Sequence, residues 1–274
     1  MNGHISASTE AAIRLGCFVG VLLVMAVWER LAPRRTQTVS RPLRWTSNLS
    51  LTAINTIAAR LVMPVTAVAA AIAAESRGWG LFSLVDWPNW LEILLSVLLL
   101  DLAIYLQHVM FHAVPLFWRL HKVHHADLDL DVTSGVRFHT LEILLSAVIK
   151  LAAIAALGPT AIAVIIFEVL LNAISMFNHS NIALPLHLDR LLRLLVVTPD
   201  MHRVHHSILH HETDSNFGFN FPWWDRLLGT YRPQPEAGHE GMTIGLPTLR
   251  NEHETERLPA MLWLPFRSTE GPEW

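Results

Sequence analysis

The sequence predicts an all-α integral membrane protein with about four to five transmembrane helices. Three observations carry that expectation. Of 274 residues, 52% are hydrophobic and only 16% charged, a profile suited to lipid rather than water. The apolar residues come in runs long enough to cross a bilayer, separated by polar stretches. The third observation is where histidine falls. Eight of the sixteen histidines form three boxes, His108-x-x-x-His112, His121-x-x-His124-His125 and His202-x-x-His205-His206. On a helix, positions i, i+3 and i+4 share one face, so each box can present its imidazoles to one place.

Composition also excludes. A net charge of −3 argues against nucleic acid as a partner. Cys17 is the one cysteine, so the chain has no internal disulfide, no thiolate zinc site and no iron–sulfur cluster of its own. The first ten residues lack a basic cluster, and no small-residue cleavage pattern follows Trp28. The first apolar run is therefore expected to be retained rather than cleaved as a signal peptide.

Residues 11–31 make the first span, about the 20 residues a bilayer needs, with Arg14 placed to snorkel. Residues 32–48 carry Arg34, Arg35, Arg41 and Arg44. By the positive-inside rule this loop is cytoplasmic. Residues 49–74 read as a second span containing Asn55, Arg60 and Pro64, although 49–60 could lie along the surface as an amphipathic helix. Trp79, Trp87 and Trp90 in the turn at 75–90 suit an interfacial belt on the far side. Residues 91–114 form the third helix. On it Asp101, Tyr105, His108 and His112 share one stripe. A carboxylate inside an apolar helix needs a partner, and Asp101 is expected to orient a ligand histidine.

Residues 115–140 are polar and hold the second box. The apolar runs 141–157 and 160–178 are broken at Gly158-Pro159 and read as a hairpin that leaves the histidine side and returns. His179 follows it directly. Tracing the spans from the arginine loop puts all three boxes and His179 on the cytoplasmic face. Residues 182–200 suggest a short interfacial helix. The expected division is residues 1–94 as N-terminal membrane helices, 95–232 as the domain that carries the histidines, and 233–274 as a loosely ordered tail. The complete fold expectation is a membrane bundle with a cytoplasmic helical cap that holds a histidine-rich dimetal site.

Nine imidazoles and no cysteine ligand suit iron, zinc, copper or nickel, and nine exceed what one ion takes. Two rivals stand beside an enzyme. A metal transporter would place ligands near mid-membrane, whereas these gather at one end. A zinc-dependent lipid hydrolase would work without oxygen or reductant. A chain that had lost activity and kept an interaction role would not need the full ligand set.

Further motifs carry a family resemblance. They are Asp101-x-x-x-Tyr105-x-x-His108-x-x-x-His112, Leu116-Phe117-Trp118-Arg119-Leu120-His121-Lys122-Val123-His124-His125, Arg137-Phe138-His139-Thr140-Leu141-Glu142 and His179-Ser180-Asn181. Thr198-Pro199-Asp200-Met201-His202-Arg203-Val204-His205-His206, Asn216-Phe217-Gly218 and Trp224-Asp225-Arg226-Leu227-Leu228-Gly229-Thr230-Tyr231 complete the set. From about residue 95 to 232 the chain resembles the fatty acid hydroxylase/sterol desaturase superfamily, integral-membrane non-heme diiron oxygenases. The resemblance implies that residues 95–232 are a catalytic domain in which His108, His112, His121, His124, His125, His179, His202, His205 and His206 hold two iron ions. It implies O2 as co-substrate and hydroxylation or desaturation of a sterol, fatty acyl, alkylglycerol or carotenoid lipid. Zinc could take the site in purified protein. Val109 stands where many members have arginine, and Thr140 where many have proline. Neither is a ligand position, so the substrate subgroup stays open.

Asp101, Tyr105, His139, Glu142, Asn216 and Asp225 are candidates to support the ligands, with Asp214 beside them. His139 is equally suited to start a helix. His210 and His211 read as solvated loop, and His4, His187, His239 and His253 as surface residues. No cysteine set and no G-x-G-x-x-G turn is present. Electrons are therefore expected from a separate ferredoxin or cytochrome b5-like protein with its reductase. Arg119, Lys122 and Arg203 would suit an acidic partner.

Overall fold

The computed structural model describes residues 6–267, so His4 lies outside the described residues. Among the described residues, five segments are long and apolar enough to cross a membrane. They correspond to α1 (Ala7–Leu31), the pair α2 (Arg41–Val62) and α3 (Ala67–Arg77), α4 (Asn89–Ala113), α6 (Thr140–Leu157) and α7 (Ala161–His179), with α5 (Pro115–His125) between the third and fourth. Seven short helices follow among the described residues, α8 (Leu186–Leu192), α9 (Pro199–His205), α10 (His210–Thr213), α11 (Trp223–Leu228), α12 (Gly238–Gly241), α13 (Glu252–Thr255) and α14 (Leu258–Trp263). Among the described residues β pairing is limited to isolated bridges. The protein is an all-helical integral membrane protein.

The helix ends follow local chemistry. Ser6 and Thr66 accept from backbone N–H groups in the first turns of α1 and α3. Gly158 closes α6 in the left-handed conformation. There the turn after α6 crosses the turn after α3 so closely that a Cβ on Gly158 would run into the Trp79 carbonyl. Both turns lie away from the histidines. α7 packs against α1, α3 and α4, and α6 against α2, α3 and α4.

The second expected span is not one helix. α2 starts at Arg41 and stops before Pro64, whose ring cannot continue it, and α3 resumes at Ala67. α2 is polar along the stripe Arg44, Asn48 and Asn55, all buried. That stripe faces the cap. Asn48 donates to Thr133 at 2.9 Å and Asn55 to the Phe138 carbonyl at 2.8 Å.

The cap is built around charge. Arg44 is fully buried between Asp127, at 2.8 Å, and Asp131, at 2.6 Å. Arg137 pairs with Glu256, and Glu256 accepts from the Leu128 N–H at 2.9 Å. Glu29 at the end of α1 accepts from the N–H groups of Val132 and Asn181 at 2.7 and 2.8 Å, and from Arg41 at 2.8 Å. One carboxylate thus joins α1 to the segments after α5 and α7.

Residues 233–267 correct the expectation of a loose tail. Met261 and Leu264 are wholly buried in a cluster with Leu51, Trp118 and Val123, and Glu256 belongs to the buried charge network. The partners of Glu256, Met261 and Leu264 lie more than a hundred residues earlier, and several partners of residues 233–245 lie some 24–40 residues earlier, so the stretch's own proline-rich, charged composition does not report them. Arg14 is not merely snorkelling, since it pairs with Glu168 of α7 at 2.7 Å, and Lys150 of α6 meets the same carboxylate.

Candidate metal centre

The cap-side ends of α4, α5 and α7 converge with α9. They bring all nine predicted histidines together in two groups. The first holds His108, His112, His121, His125 and His205, and the second His124, His179, His202 and His206. Within each group the donor nitrogens lie within 4.8 Å of one another. Each H-x-x-H-H box is split. His121 and His125 share a group with one another, as do His202 and His206, while the middle members His124 and His205 cross to the opposite group. The extra pair from α4 completes the first group and His179 the second.

Six rings have the tautomer set by an acceptor on Nδ1. His108 donates to the Phe217 carbonyl at 2.8 Å, His124 to Arg137 at 3.2 Å, His179 to Ser175 at 2.6 Å and His205 to Ser215 at 2.7 Å. His121 donates to Glu142 at 2.7 Å and His112 to Asp214 at 3.0 Å. A carbonyl or carboxylate only accepts, so the proton sits on Nδ1 and the Nε2 lone pair is free. In two pairs such lone pairs face one another, His108 with His121 and His179 with His124. Nε2 of His108 lies 3.1 Å from that of His121, His112 3.1 Å from His125, and His179 3.0 Å from His124 and 3.1 Å from His202. Opposed lone pairs repel, and a shared cation is what relieves them. Nε2 of buried His205 has no partner in the protein. The donor set therefore fits bound metal.

Burial keeps the rings neutral, the form that binds metal. It pushes His121 down to about 3. His124, His125, His202, His205 and His206 are held well below the usual imidazole range, by burial first and then by neighbouring rings. Phe138 stacks on His124 at 4.5 Å between centroids, and Phe217 and Phe219 lie edge-on or tilted against His108 at 5.4 and 5.1 Å.

The supporting residues divide. Glu142 touches a ring, and so does Asp214. Asp101 does not; it accepts from the N–H groups of Asn220 and Phe221 at 3.2 and 3.4 Å and from Trp224 Nε1 at 2.8 Å. Seven residues before His108, it sits about 10 Å down the helix, beyond reach of the ring. The Tyr105 hydroxyl pairs with Thr230 at 2.8 Å. Asp225 accepts from the N–H groups of Phe217 and Gly218 at 2.8 and 3.0 Å, so it holds the loop whose carbonyl orients His108. Asn216, at φ 51°, clamps Met201 and Arg232 by their backbones. His139 caps α6, accepting from the Leu141 N–H at 3.2 Å, and its Nε2 donates to Leu262 at 3.2 Å.

Other expectations change. His239 is buried beside Asp200, at 3.6 Å, rather than on the surface. His187 and His253 are exposed, and His210 and His211 are half-exposed beside Asp214 and Glu236. Lys122 and Arg203 are buried and Arg119 is exposed. A partner could therefore meet Arg119 but not the other two. Arg203 pairs with Asp200 and belongs to the cap interior. Four of the six acceptors that orient the rings are backbone carbonyls, which no residue type announces.

Residues 93–230, just over half the chain, match the family model described as fatty acid hydroxylase. The chain belongs to the fatty acid hydroxylase family. Similar family members include an ornithine lipid hydroxylase of Rhizobium tropici, 28% identical over 160 residues, covering 58% of this chain and 47% of that protein. An alkylglycerol monooxygenase of Xenopus tropicalis is 26% identical over 201 residues, 70% of this chain and 43% of its own length. A cholesterol 25-hydroxylase of Rattus norvegicus is 27% identical over 147 residues, 53% of this chain and 48% of its own. The chain spans about half the length of the curated relatives it matches. No solved structure matches it.

Proposed function

We propose that this fatty acid hydroxylase family protein is an O2-dependent lipid hydroxylase whose nine histidines hold two irons. The observation that carries the reading is the pair of converging, neutral Nε2 donor groups at one end of a membrane bundle. Imidazole suits iron, and the relatives' names describe hydroxylation or mono-oxygenation of lipids. Bound iron would supply activation of O2 for attack on a C–H bond, with the balance RH + O2 + 2e⁻ + 2H⁺ → ROH + H2O.

The chain's own residues do the rest. Glu142, Asp214 and four carbonyls fix ring tautomer and direction. Phe138, Phe217 and Phe219 wall the rings with apolar surface, which excludes water. α4 and α7 lead from the bilayer to the site, so a lipid chain can reach it without leaving hydrocarbon. The two electrons come from a separate ferredoxin or cytochrome b5-like donor with its reductase. We place the cap on the cytoplasmic face, where the loop carrying Arg34, Arg35, Arg41 and Arg44 meets it.

The test uses purified protein in lipid with iron, O2, an electron donor and a membrane lipid extract. A lipid gaining one oxygen atom is expected, and the gain should need both O2 and the donor. His124→Ala and His205→Ala should lower product to background while membrane insertion is kept. Product formed under strict anaerobiosis, sustained turnover without a donor, or full activity in either variant would overturn the reading.

A further inference from the structure

The segment after the last histidine box does not stay in the cap. We propose that residues 217–230 form a re-entrant hairpin that dips beside α4 into the hydrocarbon layer. It makes the floor of the metal site, and its outer face lies against acyl chains.

α4 serves as a ruler. The Phe217 carbonyl accepts from His108 at 2.8 Å. Asn220, Phe221 and Trp224 all donate to Asp101. Thr230 then pairs with Tyr105 at 2.8 Å. The levels on α4 are 108, 101 and 105. The chain descends seven residues of helix, about 10 Å, and climbs back four, about 6 Å. Asp101 is midway along the Asn89–Ala113 span, about 18 Å from either end, in a layer about 30 Å thick. The bottom of the hairpin is therefore deep in the membrane-crossing part of the molecule.

Irregular backbone survives at that depth when its polar groups are satisfied. Here they are. The N–H groups of Phe217 and Gly218 go to Asp225, and those of Asn220 and Phe221 to Asp101. The Phe219 carbonyl accepts from Asn178 at 3.1 Å, and the Asn220 carbonyl from the Val197 N–H at 3.0 Å. Pro222 has no N–H to satisfy. This explains two carboxylates that touch no ring: Asp101 and Asp225 pin the hairpin.

Its two faces differ. Inward, Phe219 and Phe221 pack with the span cluster of Val97, Leu100, Ile104 and Phe167, and Phe219 also lies against His108. Outward, Leu227 and Leu228 are 74% and 55% exposed, beside exposed Leu194 and Leu195, to which Trp223 is tied by its 2.6 Å bond to the Leu194 carbonyl. The outer face continues the lipid-facing surface of the bundle. Arg226 is exposed beside these leucines, with its guanidinium over Tyr231 at 4.0 Å and donating to the Arg193 carbonyl.

The word floor rests on the metal-site reading; the immersion does not. The experiment therefore reads depth without turnover. With Cys17→Ser as background, Leu227→Cys and Leu228→Cys are each spin-labelled in lipid nanodiscs. Collision with O2, which concentrates in hydrocarbon, is compared with collision with a water-soluble nickel chelate. Leu23→Cys on α1 is the hydrocarbon reference and His211→Cys the aqueous one. Labels at 227 and 228 should follow the Leu23→Cys label, with O2 collisions favoured several-fold over its ratio at position 211. Nickel accessibility equal to that at 211 overturns the proposal. If one leucine variant fails to insert, the other decides.

Discussion

Glu142→Leu removes the carboxylate that holds His121 while leaving all nine histidines in place. The bond is short, 2.7 Å, and both side chains are almost completely buried. A hydrogen bond to a charged group contributes about 1.5–3 kcal/mol. At about 1.4 kcal/mol per tenfold, that is roughly a 10–150-fold loss of metal affinity, in line with the roughly 10–100-fold typical of such supporting groups. The loss should be local. Glu142 touches only the five-histidine group through His121, and the group of His124, His179, His202 and His206 has its own acceptors at Arg137 and Ser175. The assay is metal content per chain after dialysis against a graded chelator, with a thermal melt to confirm the fold. Wild-type protein should hold two ions and release both late. The leucine variant should release one at roughly 10–100-fold lower chelator concentration and keep the other. Glu142→Gln retains an accepting oxygen but not the charge, and should fall about fivefold, the difference between a charged and a neutral bond. Wild-type retention of both ions in Glu142→Leu would show that the carboxylate does not support the site. Simultaneous loss of both ions from a protein that still melts normally would refute the separation into two groups.

Arg44→Ala leaves Asp131 buried without its cation and Asp127 with only Arg137, at 3.9 Å, and should destabilise the protein by about 3–5 kcal/mol, read by denaturant titration in detergent; a loss below about 1 kcal/mol would mean the network is not structural. Ser83→Cys in a Cys17→Ser background should react with an impermeant maleimide from outside the cell, and reaction only after membrane disruption would invert the orientation.

The histidine boxes and most span boundaries are legible because both are local signals. A run of about 20 apolar residues must find lipid wherever it sits, and i, i+3, i+4 spacing puts rings on one face of any helix. So α1, α4, α6 and α7, the nine donors and their gathering at one end follow from residue order. The second span stands, but it divides into two helices at Pro64, and the buried partners of the polar stripe on α2 lie some 85 residues away, beyond a local signal.

What the sequence by itself determined is the list of candidate donors and the apolar scaffold that carries them. Only the tertiary structure decided how the donors divide, with His124 and His205 crossing between groups. It also decided that Asp101 pins a hairpin instead of a ring, and that the stretch ending at residue 267 closes the cap through Glu256. The physical reason is range. Periodicity and hydropathy act within a single helix, whereas each of these outcomes depends on a contact between groups tens to more than a hundred residues apart. A carboxylate has the same letter whether it meets an imidazole, an indole or an arginine.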